Sequence, residues 1–331
     1  MTTAPSPTLP NASAVARPAW WRHAFAVLLA VMTFPLLLSG GSVTVYKVGM
    51  AVPDWPTTYG FNMFTYNMLN SPFGVQLEHS HRLIGSALGI VAIVTLAAFV
   101  AFEPRRWVKL AAFAAFVGIL LQGILGGVRV LENSALLAFV HGCTASLVFG
   151  GLVAFAVVTG RVWAETPAGA SDDTTHLRRR AAVTLVMVFI QLFLGAWVRH
   201  DPDWRAVVVH VVAAIGVWAH ALAVGIRVLK GAARWPELKP SALGMIVFAS
   251  LQLLLGTLAW WMLRPFDGEI RSVWPAQAAV RLTHHGLGAL LLAATVVLTV
   301  RVFRRFRSVP TSDNRPPVAD PASLAPLEAV R

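Results

Sequence analysis

The sequence predicts an all-α integral membrane protein: eight transmembrane helices in two pseudo-symmetric four-helix bundles, with both termini cytoplasmic. Three observations carry this reading: the number and length of the apolar runs, the side on which the basic residues fall, and a Gln–Gly pattern that recurs between the two halves. Of the 331 residues, 56% are apolar and 13% charged, with a mean hydropathy of +0.66. Soluble domains carry about 25% charged residues, so a soluble globular enzyme and a disordered chain are both excluded. The single cysteine, Cys143, excludes an internal disulfide and any multi-cysteine metal or iron–sulfur site.

A helix needs roughly 20 apolar residues to cross the hydrocarbon core. Such runs lie at about 24–46, 79–102, 108–129, 136–160, 180–199, 206–228, 241–263 and 279–302. Pro35 falls in the first, where neighbouring helices can re-satisfy the carbonyl it frees. Residues 1–23, rich in Pro, Ala and Ser, are expected as a cytoplasmic tail. A cleaved signal peptide is the rival reading, and the length of the following run disfavours it. The two halves are then 24–160 and 180–302, joined by a cytoplasmic linker at 161–179 and followed by a disordered cytoplasmic tail at 303–331.

Charge sets the orientation. With the N-terminus inside, the inner segments hold 19 of the 27 basic residues, and the outer segments hold eight basic against seven acidic ones. Every inner loop is positive and every outer loop near neutral, which is the positive-inside pattern. The formal charge of +12 is therefore topology, and no nucleic-acid partner is implied. The lipid bilayer of the plasma (inner) membrane is.

The outer segment 47–78 is the longest loop between spans on that side and carries Pro53, Asp54, Trp55, Pro56, Tyr59, Phe61, Phe64 and Tyr66. These residues suit either an interfacial aromatic belt or a lid over a site at the outer face.

The third observation is the repeat. Gln122 and Gly126 in span three match Gln252 and Gly256 in span seven, and span five carries Gln191 and Gly195. Residues four apart share one helix face. Small-residue packing with an interhelical hydrogen bond explains each pair locally. The next helices open with Val140-His141-Gly142 and His284-His285-Gly286, and because both halves start inside, the repeat is expected to be parallel, about an axis along the membrane normal.

Of ten histidines, His23, His176 and His200 fall in the tail or loops and are expected to be solvated. His79 and His81, His141, His210 and His220, and His284 and His285 lie in the even spans, all of which run from outside to inside. Each even span carries a histidine within about one to two turns of its outer end, which brings four imidazoles to one depth. Facing histidines in a helix bundle commonly hold haem iron. A proton relay or a zinc site is the rival, and both lack carboxylates through the membrane depth. Glu78 is the exception. It lies three positions before His81 on the same face, either as an interfacial partner of Arg82 or as a catalytic carboxylate beside a metal-bound macrocycle.

These residues resemble the haem A synthase family. The most specific match is Gly49-Met50-Ala51-Val52-Pro53-Asp54-Trp55-Pro56, followed by Glu78-His79-Ser80-His81-Arg82. Gln122 to Gly127, His141, Gly195-Ala-Trp-Val-Arg199-His200, His210 and His284 match in order. The resemblance implies two four-helix halves, each with a bis-His haem site toward the outer face. His81 and His141 would bind the iron of the substrate haem O, with Glu78 catalytic. His210 and His284 would bind the iron of haem b. The C8 methyl of haem O would be oxidised in two hydroxylation steps to the formyl of haem A for terminal oxidase assembly. A haem O synthase, terminal oxidase assembly factors and a homo-oligomer are the partners implied.

The chain departs from the family in two places. Many members have a cysteine pair in the outer loop, where this sequence has Val52 and Thr57-Thr58. The connection between spans five and six is only about six residues, so the second half lacks a lid like the first. The ligand in span eight stays open: the internal repeat pairs His141-Gly142 with His285-Gly286, while the family pattern fits His284 with Gly288 and Ala289. Two other functions compete, a bis-His dihaem electron-transfer cytochrome and a haem-free transporter or assembly chaperone. A carboxylate and a lid at only one site favour the synthase.

Overall fold

The computed structural model describes residues 19–169, 171–173, 176–200, 203–262 and 273–307. In order, the helices are α1 (Trp20–Val45), α2 (Phe73–Phe102), α3 (Arg106–Leu131), α4 (Ala135–Thr159), the short α5 (Arg161–Glu165), α6 (Leu177–His200), α7 (Trp204–Lys230), α8 (Lys239–Met262) and α9 (Pro275–Arg305). Eight helices among the described residues are long and apolar enough to cross a membrane, as the apolar runs predict. Pro35 sits inside α1 without ending it. Large apolar side chains such as Leu110, Val212 and Leu254 point outward and are more than 60% exposed, which suits a lipid surround.

The helix ends follow local chemistry. Ser134 caps α4 by accepting the Leu137 N–H at 3.2 Å. Asn133 closes α3 with a left-handed backbone (φ 44°), and the Ser134 N–H reaches back to the Arg129 carbonyl at 3.1 Å. Pro275 opens α9, and the Trp274 N–H donates to Gln277 Oε1 at 3.1 Å.

Helix α1 packs against α2 and α4, and α3 packs against the same two. Likewise α6 packs against α7 and α9, and α8 against α7 and α9. The seam between these groups is made by α1 and α4 on one side and α6 and α9 on the other. One buried apolar cluster centres on Leu29, Leu88, Phe99, Val108 and Leu152 of α1 to α4. The other joins α6 to α9, with Val188, Val224, Met245, Leu292 and Leu298, and takes in Phe149 and Val153 of α4. Helix α9 is the most enclosed, with 56% of its most apolar window buried against 17–33% in the others.

Two boundaries shift from expectation. Residue 23 falls in the first turn of α1, and position 303 falls within α9. The strands β1 (Ser171–Asp172) and β2 (Phe306–Arg307) pair in parallel, and Arg304 Nε donates to the Thr166 carbonyl at 2.9 Å, so linker and helix end are knitted together. The greater parts of both expected tails, 1–18 and 308–331, lie outside the described residues.

Candidate functional site

Four glycine–histidine contacts organise one half of the helix bundle. A Cβ placed on Gly40, Gly126, Gly195 or Gly256 would lie 3.0, 3.1, 3.2 or 3.2 Å from the ring carbon Cε1 of His81, His141, His210 or His284, respectively. Each glycine thus lets an imidazole from the next helix lie against helix backbone. The glutamines of the Gln–Gly pairs complete the cradles. Gln191 Nε2 donates to the His210 carbonyl at 3.0 Å, and Gln252 Nε2 to the His284 carbonyl at 2.7 Å. Gln122 Nε2 donates instead to Thr144 Oγ1 at 2.7 Å, and that hydroxyl reaches the Val140 carbonyl at 2.7 Å. The equivalence of the cradles pairs His141 with His284, and so Gly142 with His285.

The rings of His210 and His284 lie edge-on to each other, with centroids 6.4 Å apart and planes at 77°. His81 and His141 both line a cavity of about 740 Å³ enclosed mainly by α1 to α4. The buried Nδ1 atoms of His81, His141 and His284 have no hydrogen-bond partner among the described residues. Paired imidazoles in apolar surroundings are a donor set that fits the iron of a haem at both positions. No cluster of three or more His, Cys, Asp or Glu able to share a bare metal ion occurs among the described residues.

Over the His81–His141 cavity lies the loop between α1 and α2, which lends Met50, Trp55 and Met63 to its wall and is held as a lid. Glu78, only 1% exposed, accepts from the Val52 N–H at 3.0 Å and from Arg82 Nη2 at 2.9 Å, and Arg129 Nη2 stands 4.0 Å away. Arg82 also donates to three loop carbonyls, those of Asp54 (2.6 Å), Thr57 (3.1 Å) and Val52 (2.8 Å). Arg129 Nη1 reaches the Gly49 carbonyl at 3.1 Å. Asp54 closes the turn by accepting from the Tyr59 and Gly60 N–H groups, both at 2.8 Å, and from the Thr57 hydroxyl at 2.5 Å. Burial raises the Asp54 carboxyl and these bonds lower it by more, so it titrates below its ordinary range. Trp55 lies flat on Gly127, where any Cβ would strike the indole. The two positions noted against the cysteine pair are tied down by other means: Val52 is fully buried, and the buried Thr58 hydroxyl bonds His79 Nδ1 at 3.1 Å.

Several histidines sit otherwise than the sequence suggests. His200 is not a solvated loop residue: it ends α6, lines the cavity and packs edge-on to Phe139. His23 lies in α1, half-buried, with Nδ1 3.2 Å from the Thr159 hydroxyl. The odd spans one and five (α1 and α6) thus carry histidines too. His176 is exposed, as expected. His79 is a fully buried anchor for the loop, and His285 turns away from His210 toward Gly41 and lines the His81–His141 cavity. Sequence reading missed Arg129 and Arg199, which line the same cavity. The one available hint for Arg199 was its place in the Gly195-to-His200 match.

A sequence model of the family described as cytochrome oxidase assembly protein matches residues 23–208. The chain belongs to the cytochrome oxidase assembly protein family. The match to that family spans α1 to α6 and ends two residues before His210. Its relatives in the family include proteins named heme A synthase. One from Exiguobacterium sibiricum is 30% identical over 186 residues, covering 53% of this chain and 59% of the relative. One from Methylobacterium radiotolerans is 30% identical over 209 residues, covering 54% and 55%. One from Hyphomonas neptunium is 24% identical over 334 residues, covering 82% and 90%. The chain therefore spans little more than half the length of the first two, and most of the third at lower identity. The haem A synthase resemblance read from the motifs holds at the level of the family.

Proposed function

We propose that this chain is a haem A synthase, an oxidoreductase that acts on a CH group and converts the C8 methyl of haem O to the formyl of haem A for terminal oxidase assembly. In this reading α1 to α4 and α6 to α9 are two pseudo-symmetric bundles in the plasma membrane, with both termini cytoplasmic and both sites toward the outer face. His81 and His141 hold the substrate iron in the first cavity. His210 and His284 hold haem b, which supplies one-electron transfer when bound.

The observation that carries the proposal is the asymmetry between two otherwise equivalent cradles. Aligning His81 with His210 and Gly126 with Gly256 sets Glu78, Arg82 and Arg129 against Val207, Val211 and Ala259. A site that only passes electrons needs no titratable neighbours, whereas one that changes its occupant needs a proton-handling group and exclusion of solvent. Glu78 borders the first cavity and is the proposed catalytic carboxylate, while its bonds to Val52 and Arg82 keep the lid closed over it. Leu36, Phe116, Ile119 and Val148 give the cavity an apolar wall suited to a macrocycle and its farnesyl tail.

The test is a pyridine-haemochrome spectrum with chromatography of extracted haem, on protein co-produced with a haem O source. Wild type is expected to contain haem b with haem O or haem A. His210→Ala should lose haem b, and His81→Ala should lose haem A formation while keeping haem b. Haem b alone under every condition would leave an electron-transfer cytochrome, and no haem at all would overturn both readings.

A further inference from the structure

The first cavity is not closed by its own half. Arg199 and His200 of α6 and His285 of α9 complete its wall. Arg199 and His200 converge over Gly142 of α4, beside His141: a Cβ at Gly142 would lie 3.2 Å from Arg199 Nη2 and 3.6 Å from His200 Nε2. Glycine at this position leaves the space that both polar tips point into.

The charges around the cavity do not balance. Among the described residues its wall holds the cations Lys47, Arg82, Arg129 and Arg199 and a single carboxylate, Glu78. Arg82 is committed to Glu78 and three loop carbonyls, and Arg129 to the Gly49 carbonyl. Arg199 has no acidic partner among the described residues. Its Nη1 lies 3.5 Å from His285 Nδ1, and its buried Nε has no hydrogen-bond partner among the described residues. A guanidinium enclosed in a low-dielectric site is strongly unfavourable without a counter-charge. The carbonyl dipole at the end of α6 favours a cation in the last turn. That effect operates equally on a side chain extended into solvent, so it does not account for one turned into a cavity. Arg199 also has no twin, because aligning Gly195 with Gly40 places Thr44 at the equivalent position.

We infer that Arg199 and His200 form an anion subsite of the first cavity and hold a carboxylate of its ligand. The inference rests on the haem A synthase reading, under which that carboxylate is a propionate of haem O. A guanidinium fork with an adjacent imidazole suits bidentate carboxylate binding, and the acid supplies the charge that the wall lacks. The second half thus acts on the first site directly, by fixing how its ligand is turned.

The experiment is a Soret titration of the full chain in lipid nanodiscs with haem O and with haem O dimethyl ester, whose propionates are uncharged. His81→Ala defines which signal belongs to the first cavity. Wild type should prefer the free acid over the ester by roughly tenfold or more. Arg199→Gln should bind both alike, at the affinity of the ester, and His200→Gln should lose part of the preference. Arg199→Lys, which keeps the charge but loses the fork, should fall between and serves if Arg199→Gln does not fold. An undiminished preference for the acid in Arg199→Gln or Arg199→Lys overturns the inference alone. Haem O uptake that is absent in wild type, or indifferent to His81→Ala, overturns the underlying reading and the inference with it.

Discussion

At His81 the helix turn that presents the imidazole also carries Glu78 and Arg82; at His210 the same two places hold Val207 and Val211. Above the first site, residues 46–72 fold back as a lid, whereas α7 begins at Trp204, directly after α6 ends at His200. The glycine beneath each histidine is nevertheless common to both halves, and so is the Gln–Gly spacing in α3, α6 and α8. Holding a ring is therefore the shared task of the scaffold, and the charged groups and lid are what the first half adds. Glu78, Arg82 and Arg129 have no charged counterpart at the aligned positions 207, 211 and 259, which argues that they serve the occupant and not the fold.

Making the first site resemble the second is the sharpest way to break this comparison. Glu78→Val should lower haem A formation by about 10²–10⁴-fold, the usual scale for losing a proton-transfer group, with haem b content unchanged by extraction and chromatography. Equal loss at both sites would show that Glu78 serves the fold. Arg82→Leu should come next, because it strands the buried Glu78 and frees three loop carbonyls. Stability should fall by about 3–5 kcal/mol, with hydrogen exchange rising first in residues 49–58. A smaller, two-sided test is Gly126→Ala against Gly256→Ala. Each added methyl presses on its own histidine ring at 3.1 or 3.2 Å, so each should perturb the Soret band of its own site and cost about 1–3 kcal/mol. An effect as large at the other site as at its own would contradict cradles that each hold their own ring.

The smallest effect concerns pH. Asp54 has a depressed pKa in the folded lid, so its contribution is fully present above its unfolded value of about 4 and is lost as pH falls through the lower folded value. Exchange protection of residues 54–60 should be flat from pH 8 to pH 5 and fall only in stronger acid. A decline already evident at pH 6 would assign the lid's stability to another group.

The eight spans were legible because a bilayer imposes one length and one composition on every crossing helix. Their ends were less so: α2 begins at Phe73, six residues before the expected boundary, because Gln76, Glu78 and His79 interrupt the apolar run while facing the loop or the cavity. The histidines at one depth were readable from parallel helices and spacing alone. What could not be read were partners distant in sequence. His79 is an anchor because of Thr58, and His200 lines a cavity because Gly142 gives it room. Neither pairing leaves a periodic trace. The choice between His284 and His285 was likewise invisible, since adjacent positions on one helix differ only in which neighbour they meet. Gly256 and His210 lie on one side of α9, and Gly41 on the other.

That adjacency makes α9 a gear between the sites. His284 looks into one half and His285 into the other, with a single peptide bond between them. Turning the helix to draw one imidazole toward its occupant must carry the other away. A rotation of that kind would couple the two sites, and by thermodynamic reciprocity the coupling factor would be the same in both directions. Under the proposed function, a group held by His284 would then report, through its own binding equilibrium, whether the cavity lined by His285 is loaded.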